Sequence, residues 1–365
     1  MFFQFRIPKT KETNFSKCFK TEKDTMTKLR SMNKIRSDLT RTDKMQAGEL
    51  IESIGLYLPY LNSLINNCSK SLPKKKIKKY PAMHWTSSIH HKNGYFTFWA
   101  REENLLSGLL LERIFTLCVL GFTYLNRIHY LANECEDYST IEQTVHTNAQ
   151  AAYQIFLLVS AELETVTWKP TTYPHEMSKN YISAVLDYCH LVSQEIYIYS
   201  PSNTSTEVNN RPHIAKIAVG CKELYRSAIK HLETKRTEKE DINPNFLHFL
   251  ATKEKIVQAY SLRLLAVEQY KNSAIGAAIG ILIEGDKHLN DLQPPLYGDY
   301  GKAMKVYIPQ VKTDFEKLLK SWENENETIY FEKITAYYPD KNPLEAIKIH
   351  VPIEYPLPEA LDFKL

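Results

Sequence analysis

The chain has 365 residues, 43% of them apolar and 24% charged, which is ample material for a core and excludes wholesale disorder. Its formal net charge of +4 is too small for the whole surface to hold a polyanion, so attraction to nucleic acid or lipid would need a local patch. The six cysteines, Cys18, Cys68, Cys118, Cys135, Cys189 and Cys221, lie far apart with neither Cys-x-x-Cys nor a paired histidine spacing, which excludes a zinc framework and reads as scattered buried thiols.

The opening run Met1 to Pro8 lacks the long apolar stretch and small-residue cleavage site of a signal peptide, so a cytoplasmic chain without disulfides is expected. Phe2 to Ile7 predicts a short edge strand closed by Pro8. Between Lys44 and Cys68 the residues Met45, Ala47, Leu50, Ile51, Ile54, Leu58, Leu61 and Ile65 share one helical stripe, which Pro59 should kink or break. From His84 to Trp99 the pattern turns extended, with Asn93-Gly94 between Trp85 and Tyr95-Phe96-Thr97-Phe98-Trp99. Both turn residues accept positive φ, so a hairpin is predicted.

From Glu102 onward the period is helical, in segments 102–133, 138–165, 176–199, 212–234, 244–271, 273–292 and 309–323, the lengths of a bundle or solenoid. Pro212 suits a first helical turn after Asn210, and Pro294-Pro295 stops another helix. The apolar region Leu105 to Leu125 carries Glu112 and Arg113 at its centre, so no membrane span is expected there. The last forty residues, with Pro339, Pro343, Pro352, Pro356 and Pro358, read as an extended tail laid along the body. The C-terminal Asp362-Phe-Lys-Leu365 has no prenylation cysteine, and no lipid anchor of that kind is expected. The expected architecture is a mostly α, elongated, curved solenoid of tetratricopeptide-like helix pairs with a small N-terminal sheet. It is read as one domain over residues 1–365, without a 34-residue repeat consensus.

No P-loop, G-x-S-x-G, H-E-x-x-H or dinucleotide fingerprint occurs, and 11 glycines leave little for phosphate cradles, so the chain is read as non-enzymatic and without a cofactor. Lys74, Lys75, Lys76, Lys78 and Lys79 form a solvated loop or a patch for anionic lipid, worth about 1 kcal/mol per lysine at such a surface. His90-His91 reads as an exposed turn, since no third ligand follows at sensible spacing.

Four short stretches in register resemble the BRO domain family of Alix- and Brox-like proteins. Phe5-Arg-Ile-Pro-Lys-Thr-Lys-Glu-Thr-Asn-Phe15 is similar to the family's opening, and Gln194-Glu195-Ile196-Tyr197 to its Gln-Glu-aliphatic-aromatic helix end. Ile214-Ala-Lys-Ile217 resembles the start of the next helix, and Asn326-Glu-Thr-Ile-Tyr330 the segment before the tail. The resemblance spans nearly the whole chain and includes the plant endosomal-targeting members. It implies a scaffold of the endosomal ESCRT pathway that grips the C-terminal amphipathic helix of an ESCRT-III core subunit, the charged multivesicular body protein four class.

By the same resemblance the groove residues are Tyr197, His213, Ile217 and the tail residue Ile349, with Gln143 and Ser139 standing where Alix has a charged pair. An amphipathic helix presents anchors at i, i+3, i+4 and i+7 and needs apolar side chains from adjacent helices, and His213 and Ile217 share a face. Two departures bear on the partner: the loop Tyr199 to Arg211 is longer than in Alix, and His213 is polar where an aliphatic is usual. Tyr197 and Ile217 can equally be core, because Ile214, Ile217, Cys221, Leu224 and Ile229 make an ordinary buried stripe. Tyr330 is either a buried structural tyrosine or, as the resemblance implies, a phosphorylation site. The expected partners are the ESCRT-III helix and, in a competing reading, an anionic membrane surface bound through the lysine patch. No nucleic acid is expected, and the chain is read as a monomer recruited peripherally to endosomes.

Overall fold

The computed structural model describes residues 2–69, 76–89, 94–99, 104–135, 137–167, 174–199, 211–233, 242–294, 298–341, 343–348 and 359–361. Among them nine helices follow in order: α1 (Lys23–Arg36), α2 (Ala47–Ser69), α3 (Leu105–Glu134), α4 (Glu142–Thr165), α5 (Lys179–Tyr199), α6 (Arg211–Glu233), α7 (Pro244–Lys271), α8 (Ile275–Asn290) and α9 (Gly298–Glu325). Each packs chiefly on the next along the chain, which is the solenoid-like arrangement predicted. A two-stranded antiparallel sheet, β1 (Ala82–Trp85) and β2 (Phe96–Trp99), lies between α2 and α3 with Met83 opposite Phe98 and Trp85 opposite Phe96. The hairpin is where it was predicted, although His90, His91 and Asn93 lie outside the described residues.

The structure departs from the expected elements in three places. Helix α1 has few apolar residues, and only Leu29 and Met32 bury large apolar side chains, so its stripe was too sparse to read. Pro59 does not break α2, and Pro309 does not open α9; each sits inside its helix, α9 starting at Gly298 rather than at 309. In both cases apolar residues on either side of the proline, Leu58 and Leu61 or Ile308 and Phe315, are buried, and that burial offsets the lost backbone bond.

The third concerns Phe2 to Ile7, which forms no strand. Its backbone is bound by side chains: Tyr188 Oη accepts from Phe3 N at 2.8 Å, and Asn126 both accepts from Phe5 N and donates to Phe5 O. Phe2, Phe3 and Phe5 are buried, Phe3 against Phe246 and Phe249 and Phe5 against Phe122. The chain meets β1 after this segment, where Thr10 bridges Trp85 and Lys11 N donates to His84 O at 3.2 Å.

Helix α3 is long and apolar enough to cross a membrane by length and composition, yet 83% of that stretch is buried inside the fold. Its central Glu112 is fully buried and accepts four donors: Arg36 Nε at 2.6 Å, Arg36 Nη2 at 3.2 Å, Trp85 Nε1 at 2.7 Å and Tyr57 Oη at 3.0 Å. A charge excluded from water in this way is tolerated because every oxygen is paired. Two apolar clusters make up the core, one running from the N-terminal segment to α7 and the other among α7, α8 and α9. Helix α7 feeds both, with Phe249 and Val257 in the first and Ile256 and Leu262 in the second.

After α9 the chain turns at Phe331, whose φ of 55° is left-handed, and runs back over helices already laid down. Thr335 N donates to Gly276 O on α8, Ile347 N to Lys216 O on α6, and Leu361 N to Pro59 O on α2. The described parts of the expected tail, 331–341, 343–348 and 359–361, thus lie along the body. Three helical glycines lie beneath it: a Cβ on Gly220, Gly276 or Gly280 would overlap the carbonyl of Ile347, Lys333 or Thr335. Glycine inside a helix costs about 1 kcal/mol relative to alanine, so close approach of the tail is what these positions gain in return.

The six cysteines are free, and burial pushes the Cys18 thiol up to about 11 and Cys68 to about 12, with Cys118 also raised by burial. His129 and His146 are held below the ordinary imidazole value, first by burial. Nδ1 of His129 lies 2.6 Å from Phe2 O and Nδ1 of His146 lies 2.6 Å from Ser193 Oγ. A depressed histidine is neutral in the fold while the unfolded chain takes up a proton below about pH 6.5, so stability should fall as pH drops from there and level off below the folded values. Thermal midpoints between pH 7.5 and 5 should show this slope, and a combined His129→Asn and His146→Asn chain should show a flatter one.

Candidate functional site

Helices α4, α5 and α6 bring one end of each to a common edge: the N-terminus of α4, the C-terminus of α5 and the N-terminus of α6. His146 on α4 bonds Ser193 on α5 across this edge, one helical turn before Tyr197. Gln143, one turn before His146 on α4, is exposed, as are Ser139 just ahead of that helix and His213 in the first turn of α6. Tyr197 is half-buried, its ring packed on the first core cluster. Gln143, Tyr197 and His213 therefore lie at the ends of α4, α5 and α6 that share this edge.

Ile217 is different. It is 0% exposed and belongs to the first core cluster together with Ile214, Cys221 and Leu224. A side chain with no accessible surface cannot contact a ligand directly, so Ile217 is core and not part of an exposed site. Ile349 lies outside the described residues, but the tail leading to it does not. Leu344 and Ile347 pack on the first core cluster, and the segment is fastened to α6 by Ile347 N to Lys216 O at 3.1 Å and by exposed ion pairs, Lys216 with Glu345 and Lys348 with Glu223, each at 3.4 Å. The tail thus borders α6 one turn beyond His213.

The stretch Gln194-Glu195 that precedes Tyr197 is buried, and its role is to hold the edge together. Glu195 is ion-paired with Lys253 of α7 and accepts from Tyr225 Oη of α6 at 2.8 Å, while Gln194 donates to Cys221 Sγ at 3.5 Å. Burial alone would lower the Lys253 ammonium, yet Glu195 beside it outweighs that and raises it. One charged cluster therefore joins α5, α6 and α7 behind this edge. Sequence reasoning missed it, although a lysine amid Phe249, Leu250, Ile256 and Val257, all buried, was a readable signal of a paired internal charge.

Other expected sites fall elsewhere. Tyr199 is two residues on from Tyr197 and so on another face of α5; it lines a separate cavity of about 560 Å³ with Tyr138, Tyr260 and Tyr307. Lys76 is half-buried and Lys78 and Lys79 are exposed, whereas Lys74 and Lys75 lie outside the described residues. Tyr330 is 44% exposed in the helical turn Asn326–Tyr330 that follows α9, not buried, and beside it Ile329 and Phe331 are exposed as well. Among the described residues no cluster of three metal-ligating side chains occurs.

A groove edge of this kind needs no chemistry beyond burial. Tyr197 supplies a large, stiff, amphipathic surface, and His213 a flat ring one turn from the tail. In helix-docking interfaces generally, a few desolvated anchors dominate the energy.

The sequence model of the family described as BRO1-like domain matches residues 12–362. No curated protein matches the chain significantly. Solved structures similar in fold include the ALIX BRO1 CHMP4C complex, with a TM-score of 0.72 and 13% identity over 99% of this chain and 98% of that one. A Bro1 domain solved for its endosomal targeting has a TM-score of 0.68 and 14% identity over 95% of this chain and 91% of that one. ALIX in complex with the SIVmac239 PYKEVTEDL late domain matches at a TM-score of 0.68 and 15% identity, over 97% of this chain and 50% of that chain.

Proposed function

The chain belongs to the BRO1-like domain family, and from that premise we propose that it is a non-catalytic scaffold of the ESCRT pathway, acting as one domain. It binds the C-terminal amphipathic helix of an ESCRT-III subunit of the charged multivesicular body protein four class across the edge formed by α4, α5 and α6. The observation that supports this best is the convergence of Tyr197, His213 and Gln143 at three helix ends beside a fastened tail, in a fold shared with a BRO1 domain solved as a complex with CHMP4C. Ile349, just past the fastened segment in sequence, joins these by the family resemblance. Binding of this kind would bring a cytoplasmic chain to endosomes through its partner, without a lipid-binding step of its own.

The test is a titration of a fluorescently labelled ESCRT-III C-terminal helix with the whole chain, read by anisotropy. One saturable site is expected. His213→Leu should tighten it about threefold to tenfold, since an exposed imidazole at the rim is replaced by an apolar side chain, each methylene-sized group buried being worth about 0.8 kcal/mol. Looser or unchanged binding by His213→Leu would place this residue outside the contact. Reversal of Lys76 and Lys78 to glutamate should leave the titration unchanged. Loss there, with matching loss of binding to phosphatidylserine vesicles, would favour the lipid-patch reading instead.

A further inference from the structure

We infer that Gly220 is a positioning residue for helix recognition: by lacking a Cβ it seats the Ile347 carbonyl on α6 and fixes residues 343–348 as a rigid wall of the groove. This rests on the helix-binding reading above.

Gly220 lies deep within α6 and adopts ordinary helical φ, so its freedom to take positive φ is unused. What it supplies is space. A Cβ there would overlap Ile347 O, lie 2.9 Å from the carbonyl carbon and 3.3 Å from Gln194 Nε2. Backbone cannot yield as a flexible side chain does, so any larger residue must lift the tail or shift α6. Gly220 follows His213 by seven residues and therefore shares its face of α6, which makes the tail the immediate neighbour of the exposed rim along that helix. The direct bond from Ile347 N to Lys216 O fastens the same residue through the peptide unit that precedes it. The ion pairs Lys216 with Glu345 and Lys348 with Glu223 are exposed and add little. Gly276 and Gly280 repeat the device on α8 for Lys333 and Thr335, away from the groove, and so provide an internal comparison.

The experiment uses the whole chain and three variants, Gly220→Val, Gly276→Val and Ile347→Pro, the last removing the amide donor without touching α6. Backbone hydrogen exchange follows the tail, and anisotropy with the labelled ESCRT-III C-terminal helix follows the groove. Gly220→Val should speed exchange of the Ile347 amide at least about tenfold and weaken the helix about tenfold, while α6 amides keep their protection. Ile347→Pro should weaken the helix to a similar degree. Gly276→Val should free the Thr335 amide and leave the affinity unchanged, which a merely structural effect of disturbing the tail would not do. Unchanged affinity in Gly220→Val and Ile347→Pro would overturn the inference, and so would tighter binding, which would mean the tail covers the groove. If the parent chain ignores the helix, the proposed function fails, and exchange at Ile347 alone then decides whether Gly220 seats the tail.

Discussion

Glu112→Ala should destabilise the fold by on the order of 5 kcal/mol, enough to unfold much of a protein whose total stability is typically about 5–15 kcal/mol. Four donors converge on this carboxylate, and the fully buried Arg36 would lose its counter-charge and keep only uncharged neighbours such as Thr10 Oγ1, Lys11 O and the rings of Phe15 and Trp85. Breaking a buried pair from one side costs about 3–5 kcal/mol, and an unpartnered Trp85 N–H and Tyr57 O–H add about 1–3 kcal/mol each, less whatever the site relaxes. The double replacement Arg36→Met with Glu112→Leu removes both charges at similar volume and should recover most of the loss. Urea unfolding followed by circular dichroism measures both. A Glu112→Ala chain with the parent's midpoint would show that the network carries no net energy.

The second large effect is on binding. Tyr197→Asp should weaken the ESCRT-III helix by at least thirtyfold, because loss of an aromatic anchor costs about 2 kcal/mol and a carboxylate in its place must be desolvated against an apolar ligand face. The fold should tolerate the change. Tyr197 is half-buried near the end of α5, so an aspartate there can reach water in the free chain, whereas Ile217→Asp would place the charge in a closed core and unfold the protein. This contrast separates an anchor from a support: Tyr197→Asp loses binding with its melting temperature nearly kept, and Ile217→Asp loses both together.

Much of this was legible before any coordinates. Helical periodicity placed α2 to α8 within a few residues, because their buried stripes are continuous, and the Asn93-Gly94 signal placed the hairpin. Where the apolar signal was thin or misleading the reading failed. Helix α1 buries Arg36 in place of a third apolar residue, and the alternating phenylalanines of the N-terminus imitate a strand although side chains of α3 and α5 satisfy their backbone. Tyr197, His213 and Gln143 were singled out by family resemblance alone. For Ile217 the plain periodicity of α6 was the better guide, since its stripe with Ile214, Cys221 and Leu224 is core. The pairing of Lys253 with Glu195 and the glycine seat beneath the tail depend on which distant segments meet, information that no local pattern holds.

The most direct test of the central claim is a hydrogen-exchange footprint of the whole chain with and without a saturating ESCRT-III C-terminal helix. New protection is predicted over residues 193–199, 211–216 and 343–348 and at the start of α4, with none at Lys76, Lys78 or Lys79. A footprint centred on the lysine patch or on the tyrosine-lined cavity between α7 and α9, or no footprint at all, would contradict it.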